Sequence, residues 1–225
     1  MSPRTRAGVA ACLLMAAISI NSPAHALPTP AVCRDGAYSL TQSVWKTPYR
    51  WHFVARSTPS GVSADAAVRA LRRAAGNITA GRNNCGLPDQ VGAQQQYVGT
   101  TAARVNITSN GSCGSPDGQS VVGFGSLSTG ALGITCFWTR DGRTVEADVL
   151  LNKSGYRWAA NVGPGCVGAW SIEDVATHEF GHAFGLGHVS EQLHGLLTMS
   201  PSIQPCQLGE TTLGLGDVKG LRARY

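Results

Sequence analysis

Charge is scarce in this chain. Asp, Glu, Lys and Arg make up 14% of its 225 residues, against about a quarter in ordinary soluble proteins. The formal net charge is +5, and the basic residues are scattered apart from Arg69, Arg72 and Arg73. That trio reads as the solvated face of a helix, so the sequence makes no case for nucleic-acid binding. Long apolar runs are absent after residue 26. No later stretch approaches the about 20 residues that span a bilayer, so the mature chain is expected to be soluble. No C-x-x-C pair occurs, which argues against a cysteine zinc site. No Asp/Glu cluster has calcium-loop spacing. Asp117, Asp141, Glu146 and Asp148 are scattered, and each reads as a turn or surface residue. There is no internal repeat.

What is present begins with an address. Arg4 and Arg6 precede an apolar run from Ala7 to Ile20, and Ala24-His25-Ala26 is an A-x-A cleavage site. Residues 1–26 therefore read as a signal peptide, with an uncleaved membrane anchor as the alternative. A short lead-in, 27–43, and one domain, 44–225, follow, and the protein is expected to be secreted and extracellular. Of seven cysteines, Cys12 leaves with the signal. Cys33, Cys85, Cys113, Cys136, Cys166 and Cys206 remain, an even count that reads as three disulfides, with about 15 pairings open. Four N-x-[ST] triplets stand at Asn77, Asn106, Asn110 and Asn152.

Trp45–Val54 alternates aromatics and reads as a first strand, with Pro48 marking an edge or bulge. Ser63 to Ala75 predicts a helix ending at Gly76 or soon after. Residues 81–130 are rich in Gly, Asn, Ser and Gln. Tyr97-Val98, Ala103–Ile107 and Val121–Phe124 are candidate short strands there. Ala131–Trp138 and Thr144–Leu151 flank an Asp141-Gly142 turn and predict a hairpin. Val145, Ala147, Val149 and Leu151 should share one of its faces. Ser171-Ile-Glu-Asp174 is a helix start signal, and that helix should run through His182 to Gly185. A last helix is expected near Asp217.

The chemistry is concentrated in His178-Glu179-Phe180-Gly181-His182. Residues four apart share a helix face, about 5–6 Å apart at Cβ, so both imidazoles can reach one ion. Glu179 can reach a metal-activated water. Zinc needs a third protein ligand and, for catalysis, an open fourth position. Gly185 breaks the helix and His188 follows three residues later. Chance yields a bare H-E-x-x-H in about one chain in a hundred of this length, and Gly185 with His188 lowers that to roughly one in a hundred thousand.

His178 to His188 matches H-E-x-x-H-x-x-G-x-x-H, and the chain resembles the metzincin metalloproteases. Met199, in Leu197-Thr198-Met199-Ser200-Pro201, fits the family's Met-turn. Within that family the chain looks most like the matrixins. Trp45-Lys46 with Tyr49-Arg50, Ala147–Asn152, and Gly216–Leu221 with Tyr225 look like the first strand, the strand before the zinc helix and the closing helix. The resemblance implies an α+β, zincin-like fold: a twisted five-stranded, mostly parallel sheet with an antiparallel edge strand and three helices. Ala131–Cys136 is the candidate edge, on which a peptide adds as an extra strand. It also implies one catalytic Zn2+ on His178, His182 and His188, with Glu179 as general base. Protein or peptide substrates are then expected, acted on by a monomer. Residues 199–205 should shape the pocket beyond the scissile bond. Structural Ca2+ occurs in matrixins but has no clear motif here.

Cys85-Gly-Leu-Pro-Asp89 resembles the segment by which matrixin pro-regions block zinc with a thiolate. Here it follows the first strand and helix, and using Cys85 as a thiol leaves five cysteines to pair, so a disulfide is the preferred reading. His194 and His52 are spare; His194 reads as a solvated loop residue, with a place in the cleft as the alternative. A secreted zinc-binding module without turnover, and a hydrolase of non-peptide amides, are the competing functions.

Overall fold

The computed structural model describes residues 30–207 and 211–225. The expected signal segment at 1–26 lies outside the described residues, as does the start of the lead-in. In chain order the elements are β1 (Ser39–Leu40), β2 (Tyr49–Phe53), α1 (Ala64–Ala80), β3 (Gln95–Thr100), β4 (Ser120–Gly125), β5 (Gly133–Arg140) and β6 (Arg143–Asn152). Then come β7 (Arg157–Ala159), β8 (Ala169–Ser171), α2 (Ile172–Ala183), β9 (Leu186–Gly187), α3 (Glu191–His194) and α4 (Leu215–Arg224). Four α-helices thus stand among the described residues where three were expected; α3 is a single turn.

The main sheet has the order β3-β2-β4-β6-β5. The β3–β2, β2–β4 and β4–β6 neighbours run parallel, and β5 pairs antiparallel with β6 at one edge. It is a mixed sheet in an α+β chain. β5 begins two residues after Ala131 and continues to Arg140, past the expected end of the edge. The β5–β6 turn has positive φ at both Asp141 (51°) and Gly142 (70°), which matches the twist of two-residue hairpins. The first strand is shorter than expected, because Trp45 to Pro48 precede it. No strand forms at 103–107; only an isolated bridge joins Ile107 to Cys113.

Helix α1 starts where Ser63 Oγ accepts the Ala66 N–H at 3.2 Å and stops at Gly81, which takes the left-handed conformation at φ 66°. Gly76 does not end it: the backbone stays helical through Ala80, with Ile78 buried. The buried face, with Ala67, Ala70, Ala74 and Ala75, is small enough to lie close against α2. Tyr49, Trp51 and Phe53 are buried on one face of β2: Tyr49 meets Phe180 and Phe184 of the α2 region, Trp51 meets Phe180 with ring centroids 5.5 Å apart, and Phe53 meets Phe124 of β4. Each such buried aromatic contributes about 2–3 kcal/mol of transfer free energy.

The Gly/Asn/Ser-rich stretch before β4 has little core of its own. It is held by two carboxylates on the face of β6 opposite Ala147 and Val149. Asp148 accepts the N–H groups of Asn106 (2.5 Å) and Val121 (2.8 Å), and Glu146 accepts those of Asp117 (3.2 Å) and Gly118 (2.5 Å). Both side chains are buried, which corrects the reading of Glu146 and Asp148 as surface residues; Asp117 and Asp141 are exposed. The carboxylates are engaged by backbone N–H donors, and they are not among the groups of three or more His, Cys, Asp or Glu that could hold a metal among the described residues. Val145 is exposed while Ala147, Val149 and Leu151 are buried.

The disulfides are Cys33–Cys85, Cys113–Cys136 and Cys166–Cys206. Cys85 is thus disulfide-bonded. Two of the four N-x-[ST] asparagines are buried. Asn77 is buried and donates to Glu173 and Thr177, and Asn152 is buried and donates to Ala131 O.

Burial, reinforced by Glu146 and Asp117, pushes Asp148 from 3.8 up to about 7 against its two N–H donors. A raised folded-state pKa gives stability that is full below the unfolded value and is lost as pH rises through about 7. The unfolding free energy of wild type relative to Asp148→Asn should therefore fall between pH 5 and pH 8, by about 1–3 kcal/mol in urea titrations. A difference that does not change with pH would overturn the assignment.

Candidate metal centre

Helix α2 is started by its cap. Ser171 Oγ accepts the Asp174 N–H at 3.2 Å, and Glu173 and Asp174 in the first turn complement the helix dipole. The return half of the cap is missing: both Asp174 carboxylate oxygens are buried without a partner, and burial pushes this group up to about 6. Glu173 turns instead to α1, where it accepts from Arg73 Nε at 2.5 Å and Asn77 Nδ2 at 3.2 Å.

His178 and His182 project from one face of α2. The chain leaves the helix after Ala183 and turns at Gly185, φ 94°. It then runs back as β9, antiparallel to β1 of the lead-in, and this delivers His188. The three Nε2 atoms form a near-equilateral triangle: 3.1 Å between His178 and His182, and 3.0 Å from each to His188. The structure therefore brings together all three histidines singled out by the sequence.

Their protonation follows from their other ring atoms. His178 Nδ1 lies 2.7 Å from Thr198 O, and His182 Nδ1 lies 2.9 Å from Leu186 O. A carbonyl only accepts, so both Nδ1 atoms carry the hydrogen and both Nε2 atoms present bare lone pairs. Burial disfavours a charge on the three rings, holding His178 down to about 3 and lowering His182 and His188. Neutral imidazoles with converging lone pairs fit a divalent cation that takes nitrogen at about 2.0–2.1 Å. Among the described residues, this is the only group of three or more His, Cys, Asp or Glu that could hold a metal.

Met199 lies fully buried behind the helix; a Cβ at Gly181 would meet its sulfur at 2.4 Å. Its backbone is anchored from α4, where the Asp217 carboxylate accepts the N–H groups of Thr198 (3.0 Å), Met199 (3.3 Å) and Gly214 (2.9 Å). Burial pushes Asp217 up to about 6 in spite of those donors. Asp217 thus sets the Thr198 carbonyl that orients His178. α4 begins at Leu215, slightly ahead of the expected start near Asp217.

Glu179 is buried, with Oε2 accepting from Thr135 Oγ1 of β5 at 2.6 Å. Burial pushes it up to about 7, opposed by the Thr135 hydroxyl. Glu179 and the three histidines line a cleft of about 600 Å³ with the β5 edge from Gly130 to Thr135. Leu132, Tyr156, Trp170, Val175 and Ile203 form apolar walls, and Ser200 to Gln204 close one side. The Cys166–Cys206 bridge and a Cys206 N–H bond to Ala169 O (2.8 Å) pin that side to β8.

His194 does not line this cleft; it pairs with Asp35 of the lead-in at 2.8 Å. His52 is half-buried in β2, away from it. The sequence reading missed Thr135, Thr198 O, Tyr156 and Trp170. No local signal marks them, because each is brought in by a contact distant in sequence.

A Cβ at Gly185 would stand 2.3 Å from Ser43 O at a φ of 94°. Gly185→Ala is expected to cost about 2 kcal/mol or more in urea unfolding, since the turn that delivers His188 must shift. Gly76→Ala, in open space on α1, should instead stabilise by about 0.5–1 kcal/mol. Equal effects at the two positions would contradict this account.

The family model for matrixins matches residues 128–225, the stretch that holds β5, β6, α2, the three histidines and Met199. No curated protein matches the chain. A solved structure described as the GM1 bound form of the ECX AB5 holotoxin is similar at a TM-score of 0.42 and 14% identity, over 80% of this chain and 81% of that one.

Proposed function

We propose that this chain is a secreted, zinc-dependent endopeptidase of the matrixin type. In this reading residues 1–26 are a signal peptide, 27–43 a lead-in and 44–225 a catalytic domain with a metzincin-like fold. One zinc is held by His178, His182 and His188, Glu179 is the general base, and Met199 forms the Met-turn. The observation that carries the proposal is the triangle of Nε2 atoms, with sides of 3.0–3.1 Å, two of them bare because their rings donate Nδ1–H to carbonyls, beside a buried carboxylate in an open cleft. The matrixin match over residues 128–225 supports it. Three disulfides suit an extracellular protein, and no helix among the described residues is long and apolar enough to cross a membrane.

Zinc bound there supplies a Lewis acid that polarises a peptide carbonyl and makes water acidic enough to react near neutral pH. The chain's own residues do the rest. β5 is a sheet edge, so its free N–H and C=O groups can align an extended peptide as an added strand. Glu179 Oε2 is occupied by Thr135, while Oε1 has no hydrogen-bond partner among the described residues. Oε1 takes the proton of the attacking water as the carbon–oxygen bond forms, then hands it to the amide nitrogen as the carbon–nitrogen bond breaks. The apolar walls around Trp170 and Ile203 receive the side chain beyond the cut.

Zinc-loaded wild type should hydrolyse casein or gelatin, lose activity on chelation and recover it with added zinc. Glu179→Ala should retain one zinc per chain and lose at least about 100-fold in kcat. Equal activity in both proteins would refute the role of Glu179. Bound zinc with no hydrolysis by either would leave a binding module instead.

A further inference from the structure

Glu179 is held by the strand expected to hold the substrate. Thr135 Oγ1 lies 2.6 Å from Glu179 Oε2 and 3.0 Å from the backbone oxygen of the same residue. A single hydroxyl thus reaches both ends of Glu179, which folds the side chain over its own helix turn. Gly133 stands two residues earlier on the same face of β5. A Cβ there would be 2.6 Å from Glu179 Oε1 and 2.8 Å from its carboxyl carbon. The alternate residues, Ile134 and Cys136, face the second core on the other side. The carboxylate therefore rests in a slot with a glycine floor and a threonine hydroxyl at one end. The slot is rigid, because Cys136 is bonded to Cys113 and β5 pairs with β6 from Gly133 to Arg140.

We propose that Thr135 is a positioning residue for the general base: its hydroxyl fixes one carboxylate oxygen of Glu179, so the other is presented at a set distance from a peptide lying along β5. This rests on the endopeptidase reading and deepens it. A buried carboxylate needs a donor wherever it sits, but a donor on any neighbouring element would meet that need. Placing it on the substrate-aligning strand ties base and scissile bond to one backbone segment, and misplacement of about 1 Å can cost roughly 100-fold in rate. Gly133, where the three nearest atoms to an added Cβ all belong to Glu179, points the same way.

The test compares zinc-loaded wild type, Thr135→Val and Thr135→Ser on one fluorogenic peptide, with zinc content, thermal unfolding and crystal structures for each. Thr135→Val should lower kcat about 10–100-fold with KM within about twofold and zinc still one per chain, and Thr135→Ser should restore kcat to within about threefold of wild type. In a Glu179→Ala background, Thr135→Val should have no further effect on the residual rate. The crystal structures should show the Glu179 carboxylate ordered in wild type and the Ser variant and displaced or disordered in the Val variant. An ordered, unmoved carboxylate in Thr135→Val, or kcat within twofold of wild type, would overturn the proposal. If Thr135→Val unfolds, the Ser variant and Gly133→Ala decide: the latter must displace the carboxylate without loss of zinc, and an unmoved one refutes the slot. Failure of wild type to cleave peptides would count against the endopeptidase reading alone, because the carboxylate's order is read without turnover.

Discussion

Three imidazole nitrogens within 3.1 Å of one another, two of them bare because their rings turn Nδ1–H to carbonyls, are an arrangement that could hold a metal ion at its centre. Lone pairs aimed at one point repel, and burial disfavours relief by protonation of His178. The rest of the molecule holds this geometry in place. α2 provides two rings at the spacing of one helical turn. β1 and β9 return the third. Asp217 fixes the Met199 segment, whose neighbour Thr198 sets the tautomer of His178. Each supporting contact joins the site to an element from a different part of the chain, so the centre depends on the domain being folded as a whole.

The sheet supplies the second half of the site. Its antiparallel edge runs past the histidines, and the strand behind it, β6, serves two faces. Ala147, Val149 and Leu151 meet the core under α2. Glu146 and Asp148 reach the other way and bind the backbone of a stretch that could not order itself by burial. This is an irregular segment fixed by charge-assisted hydrogen bonds and a disulfide, in place of a regular element with its own apolar face.

Some expectations were overturned for local reasons. α1 passes Gly76 because an isolated glycine costs a helix only about 1 kcal/mol, less than burial of Ile78 beyond it returns. The Ser171–Asp174 signal starts a helix as read, yet only the Ser171 half of the cap is made. The acidic residues of β6 looked like surface groups because alternation marks a face without saying what covers it. His194 is engaged by Asp35, 159 residues away.

The sequence alone determined what depends on short-range geometry. His178, Glu179 and His182 are placed by the helical repeat, Gly185 by its freedom at positive φ, the hairpin by Asp141-Gly142, and the number of disulfides by the cysteine count. Tertiary structure alone decided which cysteines pair, that Thr135 meets Glu179 from 44 residues away, that Asp217 carries the Met199 turn, and that Glu146 and Asp148 are internal. Spacing along a chain fixes neighbours within a turn or two. Contacts across the fold are chosen by packing, and nothing in either partner's local pattern names the other.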